Sequence, residues 1–226
     1  MRTEPRRRPA PFRALRVRNY RLFFTGQILS VIGTWTQNTA IAWIVLRQES
    51  GSAVGLGVIV ALQFTPLLLF GAWAGAIADR TDKPRMLQVT NGAAAVVALA
   101  TAVLVSSGRH TTALLGVMAL LSGCAGAFET PTRQSLAAEL VPPADLPSAV
   151  GLNGAIMTSS RMVGTAIAGL LIAALDPVAC LYLNAASFLA VVGAMALVRR
   201  DELHAVTRAN KGAARIRDGL RPCSPA

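Results

Sequence analysis

Charge is the first thing this sequence is short of. Only 15% of its 226 residues are Asp, Glu, Lys or Arg, where a soluble domain carries roughly 25%. An ordinary soluble enzyme is therefore a poor fit. Acidic residues are scarcest, 11 against 22 basic, which leaves a net charge of +11. Aromatic residues make up 5% and cysteines number three. Cys124, Cys180 and Cys223 are isolated and stand in no CxxC spacing, so neither a disulfide framework nor a zinc site is indicated. The chain also has only two histidines, His110 and His204, in loops on opposite sides of the reading below. No G-x-S-x-G, HExxH or Walker A run occurs. No catalytic residues, metal site or cofactor are expected, and transport coupled to ATP would need a separate ATPase. What the chain has is 53% hydrophobic composition, which excludes disorder.

The apolar residues gather into six stretches near the ~20 residues needed to cross a bilayer: Leu22–Leu46, Ala53–Ala78, Met86–Val105, Thr112–Phe128, Ala149–Leu175 and Val178–Val198. The fourth is the shortest. The first is too long for a cleaved signal sequence and has no A-x-A site after it. The reading is an all-α membrane protein with a basic tail over 1–21, a bundle over 22–198 and a second basic tail over 199–226.

The basic residues sit between these stretches rather than on one face of a soluble domain. Eight arginines precede span one, Arg80, Lys83 and Arg85 follow span two, Arg133 follows span four, and seven Lys or Arg follow span six. The opposite side has only Arg47 and Arg109, and Arg161 falls inside a span. Positive charge stays in the cytoplasm, so this alternation predicts a multi-pass protein of the cell membrane with both termini cytoplasmic. It leaves no need for a nucleic-acid partner. The lipid bilayer is the partner it implies.

Within the spans, the close-spaced pairs Gly71 and Gly75, Gly123 and Gly126, and Gly164 and Gly169 predict helix-packing contacts. Polar residues at membrane depth are more telling. Span one has Thr34, Thr36, Gln37, Asn38 and Thr39, span two has Gln63 and Thr65, and span five has Arg161. Arg161 lies about twelve residues into its helix, roughly 18 Å from the end at 1.5 Å per residue. It should therefore face a cavity or a polar partner. With no carboxylate expected at that depth, its expected neighbours are Gln37, Asn38 and Gln63 or a partner missing from this chain, and the four residues are the candidate substrate cavity.

The gap after span two reads Gly75-Ala-Ile-Ala-Asp79-Arg80-Thr-Asp82-Lys83-Pro84-Arg85, a short charged turn able to act as a breakable latch. It resembles the signature loop of the major facilitator superfamily, with Gly75, Asp79, Arg80 and Arg85 matching and Asp82 standing where a second glycine is usual. The aspartate is similar to the branch containing the enterobactin exporter and macrolide efflux proteins, also described as transmembrane secretion effectors. Further likeness lies in Gly33-Thr-Trp35-Thr-Gln37 with Trp43, Gly51-Ser52-Ala53, Pro131 with Leu140-Val141-Pro142, and Arg161-Met-Val-Gly164 through Gly169. In that last motif Thr165 replaces the usual proline.

The resemblance implies two six-helix halves, each of two inverted three-helix repeats, with a small-molecule substrate between the halves and Gly75, Asp79, Arg80, Asp82 and Arg85 gating one side. It implies efflux driven by an ion gradient, as in an antiporter. Ala213–Arg221 looks like the start of the linker between halves, so the chain reads as an N-terminal half. A second half or a homodimer is then the expected partner. The competing expectation is a non-transporting scaffold or a remnant of a truncated gene.

Overall fold

The structure, a computed structural model, describes residues 13–48, 53–142 and 145–199, with the side chain of Asp79 outside that set. The tails expected over 1–12 and 200–226, including the linker-like Ala213–Arg221, His204 and Cys223, lie outside the described residues, as do Gly51 and Ser52. A 3-10 turn over Arg13–Arg16 leads into six α-helices: α1 Arg18–Gln48, α2 Ala53–Arg80, α3 Lys83–Ser106, α4 Thr112–Glu139, α5 Leu146–Ala174 and α6 Pro177–Ala196. All six are long and apolar enough to cross a membrane.

Local chemistry explains the helix ends. Asp82 caps α3 by accepting from the Arg85 amide at 3.2 Å, with Pro84 in the first turn. Thr111 and Asp176 do the same for α4 and α6. These side chains satisfy amides that have no partner inside the helix. Gly108, at φ 69°, makes the reversal between α3 and α4 in a region that favours glycine.

Two boundaries depart most from the sequence reading. Helix α1 starts at Arg18 rather than Leu22, because its first turn is tied down. Asn19 exchanges two hydrogen bonds with the backbone of Arg199, at 2.9 and 3.1 Å, and the Tyr20 hydroxyl donates to the Ala149 carbonyl at 3.1 Å. The preceding 3-10 turn is held by an Arg13–Asp145 ion pair at 2.8 Å. Helix α4 runs to Glu139, not Phe128, so the span expected to be shortest has 28 residues. Pro131 does not stop it. Thr132 donates back to Phe128 at 2.7 Å, and Leu136 and Leu140 are buried on the continuing helix face.

Helix α1 packs against α5 and α6, α4 against α2 and α3, and α3 lies along α6. Exchanging the first three helices for the last three maps these neighbours onto themselves, as two inverted three-helix repeats require. Backbones meet where a side chain is missing. A Cβ on Gly164 of α5 would come 2.7 Å from the Ile32 carbonyl oxygen of α1, and one on Gly123 of α4 would overlap the Gln63 carbonyl of α2. Of the expected packing glycines Gly123 and Gly164 do this. Gly71 faces only Leu67 of its own helix, and Gly169 has nothing within 4 Å. Spacing alone does not tell which helix face meets a neighbour.

Burial is inverted relative to a soluble protein. Leu68, Val89, Met162, Leu170 and Trp73 are exposed, Leu68 by 84%, while Gln27, Asn91, Thr132, Arg133 and Asn184 are buried. This suits a hydrocarbon solvent, which offers polar groups no partner. Two apolar clusters close the bundle, one around Tyr20, Leu87, Leu136 and Met195, the other around Ile44, Val105, Leu115 and Leu181. Between these plugs the interior is polar.

Candidate functional site

Helices α1 and α4 meet only sparsely, and between them opens a cavity of about 290 Å³. Its polar lining follows helical spacing. On α1 it comes from Ser30, Thr34, Gln37 and Asn38, and on α4 from Ser122, Gly126, Glu129 and Thr130. Both sets run i, i+4, i+7, i+8, which is one helix face. Arg133 continues the α4 face by a further turn, Asn91 and Asn184 enter from α3 and α6, and Trp35, Phe64 and Phe188 supply flat apolar walls.

The amides are held in place. Asn184 Nδ2 donates to Gln37 Oε1 at 2.9 Å, and the Ser187 hydroxyl donates to Asn184 at both its backbone carbonyl (2.7 Å) and Oδ1 (3.1 Å). This cross-link requires Gly33, whose Cβ would come 2.8 Å from Asn184 Oδ1. Opposite, Gln63 Nε2 donates to Asn38 Oδ1 at 3.3 Å, joining α2 to α1. Gln37, Asn38 and Gln63 thus share one cavity wall region, and all three helices of each repeat contribute to the cavity lining.

Arg161 is not with them. It is exposed on α5, with its guanidinium carbon 4.7 Å from the centre of the Trp35 ring. Its partner is the aromatic face rather than an amide, an arrangement that attracts a cation electrostatically. Trp35 stands between Arg161 and the amides, lining the cavity itself.

The charge inside the cavity is a different arginine. Arg133, counted in the sequence among the loop residues, is 4% exposed within α4 and lines the cavity. Its Nε lies 3.6 Å from a carboxylate oxygen of Glu129 and makes no hydrogen bond, while one terminal nitrogen points at Met157 Sδ at 3.9 Å. The expectation that no carboxylate lies at depth is corrected by Glu129. From the Glu139 end of α4, Arg133 and Glu129 lie about 9 and 15 Å inward at 1.5 Å per residue. Sequence reasoning missed both because it ended span four at Phe128. The available signal was the repeated spacing: Ser122-Gly126-Glu129-Thr130 on α4 steps as Ser30-Thr34-Gln37-Asn38 does on α1.

The turn between α2 and α3 has a firm structural role. Gly75 faces α4 at Pro131, 4.0 Å from its would-be Cβ, and Arg80 is exposed. Asp82 caps α3 and lies 3.6 Å from the Arg85 guanidinium. Lys83 reaches across to Glu139 at the end of α4, 2.7 Å away, with both side chains mostly buried. The side chain of Asp79 lies outside the described residues. Among the described residues, no group of three or more His, Cys, Asp or Glu gathers to hold a metal.

Comparison with known proteins gives the same architecture a lineage. The family model for transmembrane secretion effectors matches residues 9–224. Over 152 residues the chain is 34% identical to the staphyloferrin A transporter of Staphylococcus aureus, covering 67% of this chain and 38% of the relative. It is 28% identical to macrolide efflux protein A of Streptococcus pyogenes, covering 68% and 38%. It is 27% identical to the multidrug efflux pump Tap of Mycobacterium tuberculosis, covering 88% and 49%. The chain therefore spans less than half the length of these curated relatives. No solved structure matches it significantly. On the family match, the six-helix bundle and its two inverted repeats, the chain belongs to the transmembrane secretion effector family of the major facilitator superfamily.

Proposed function

We propose that this bundle is one half of an efflux transporter, carrying a small molecule in the cavity between α1 and α4 and driven by an ion gradient. One observation carries the reading: a polar cavity holding a permanently charged guanidinium lies between two apolar plugs of a membrane bundle. Arginine is costly at such depth, at least about 2.5–3.5 kcal/mol on insertion scales, and is kept where it lines a pathway. Relatives named for macrolide and multidrug efflux support export. The distribution of Lys and Arg supports a cell-membrane protein with both termini cytoplasmic.

Alternating access needs two bodies moving about a shared site. The second body is a further six-helix unit, supplied by more polypeptide, a separate chain or a second copy. The exposed face of α5, with Gly154, Thr158, Arg161 and Thr165, is where it packs. The Asp79–Arg85 turn gates one side.

Retention of a panel of radiolabelled amphipathic drugs, anionic, neutral and cationic, by cells expressing the chain tests this, combined with cysteine crosslinking across α5. Crosslinked assemblies should lower retention, and collapsing the proton gradient should abolish the effect. Efflux by a demonstrably monomeric chain refutes the two-body requirement, and none from a crosslinked assembly refutes the transport role. Asp79→Asn should reduce efflux without loss of insertion, and unchanged efflux would remove the gating role.

A further inference from the structure

The geometry points to Arg133 as an anchor for an anionic cargo, with Glu129 as the stand-in that occupies it when the cavity is empty. A guanidinium carries five N–H donors in a planar fork and stays charged at any physiological pH. Here it is buried, yet its Nε makes no hydrogen bond, its nearest carboxylate oxygen is 3.6 Å away, and among the described residues a thioether sulfur is its one hydrogen-bond acceptor. Buried polar groups are normally satisfied, and a charged donor left short of acceptors is costly. Asn91 Oδ1, also lining the cavity, is likewise without a partner. The site is therefore built but incomplete.

What completes it follows from the lining. Glu129 and Arg133 are the only charged side chains among the described residues that line the cavity. Glu129 is the freer of the two, with 21% of its side chain exposed against 5% for Arg133. At 3.6 Å and with no hydrogen bond from Nε the pair is poorly made, so an incoming oxyanion able to bind the fork in two-point fashion, with shorter charge-assisted bonds, displaces Glu129. The displaced Glu129 then turns toward the open cavity, while Arg133 keeps its place. Trp35, Phe64 and Phe188 would take an apolar body, and Asn38 and Gln63 its neutral polar groups. The cargo class is an amphipathic molecule bearing a carboxylate or similar oxyanion. A cationic cargo would instead need Glu129 as its anchor, beside a fixed positive charge. This assignment rests on the cavity being the cargo site.

The test is equilibrium binding to the full chain in phosphatidylcholine nanodiscs, using three fluorescent probes: dansylglycine, its neutral methyl ester and the cationic dansylcadaverine. Wild type should bind the carboxylate tightest. Arg133→Gln should weaken it by about tenfold or more, the scale of one charge-assisted hydrogen bond, and leave the ester unchanged. Should Arg133→Gln fail to fold, Glu129→Gln decides alone. Removing the competitor should tighten dansylglycine binding, whereas a cation site would lose dansylcadaverine. The proposal is overturned by equal binding of ester and carboxylate, by preference for the cation, by weaker dansylglycine binding in Glu129→Gln, or by no probe binding to a folded chain. Binding is measured without transport. Efflux with the wrong probe preference sinks only this assignment, and the right preference without efflux sinks only the transporter reading.

Discussion

Replacing Gly123 by alanine asks whether α2 and α4 owe their contact to a missing side chain. The new Cβ would overlap the Gln63 carbonyl oxygen, with the carbonyl carbon at 2.9 Å and Pro66 Cδ at 3.2 Å. Ordinary contact begins near 3.4 Å, so α2 would have to withdraw by at least about half an ångström from the carbonyl carbon alone. The obstructing atoms are backbone, so no rotamer change relieves them, and overpacking of this kind costs about 1–3 kcal/mol. The displacement would also pull Gln63 from Asn38, 3.3 Å away across the cavity wall. Gly126, one turn along the same helix, is the internal control: nothing lies within 4 Å of its would-be Cβ. Alanine there gains helix propensity, about 0.8–1 kcal/mol. Two identical substitutions in one helix should therefore move stability in opposite directions. Equilibrium unfolding of the full chain in mixed micelles, titrated with dodecyl sulfate and followed by far-ultraviolet circular dichroism, reads this directly. A Gly123→Ala midpoint at or above wild type, or an equal fall in Gly126→Ala, refutes the packing argument.

The same titration serves three further predictions. Asp82→Ala should cost about 1 kcal/mol through loss of the α3 cap, whereas Asp82→Gly should cost only a few tenths; equal losses would show that capping is not its contribution. Asn184→Leu removes the 2.9 Å bond to Gln37 and should cost about 0.6–2 kcal/mol, the range for interhelical hydrogen bonds in membranes; no loss would mean Gln37 finds another partner. For the Lys83–Glu139 pair, 2.7 Å apart and mostly buried, a double-mutant cycle with Lys83→Met and Glu139→Gln should give a coupling of about 0.5–3 kcal/mol. Additive losses would mean the pair does not join α3 to α4.

Much of the fold was legible because the bilayer simplifies the code. A span must be long and apolar, and its flanks must be charged in alternation, so the number of helices could be read without knowing any contact. Gln37, Asn38 and Gln63 were legible for the same reason, since amides are rare at depth unless they face one another or a cavity. Arg133 and Glu129 were not. Reading span four outward, Glu129, Pro131 and Arg133 together look like the start of a loop, and only burial of Leu136 and Leu140 against the neighbouring helices keeps the chain helical beyond them. The neighbours of Arg161 were not legible either. Its depth called for a polar partner, but its position around the helix axis sends it outward onto Trp35.

Length, hydropathy and the placement of basic residues were thus enough, by sequence alone, to determine a six-helix membrane bundle, because each helix must satisfy its own backbone in lipid whatever its neighbours are. Which faces meet was decided only in three dimensions. Gly123 and Gly164 became contacts while Gly71 and Gly169 did not, and a loop arginine became the charge in the cavity. Spacing along a helix sets which residues share a face, but the direction that face points is set by packing against the other five helices.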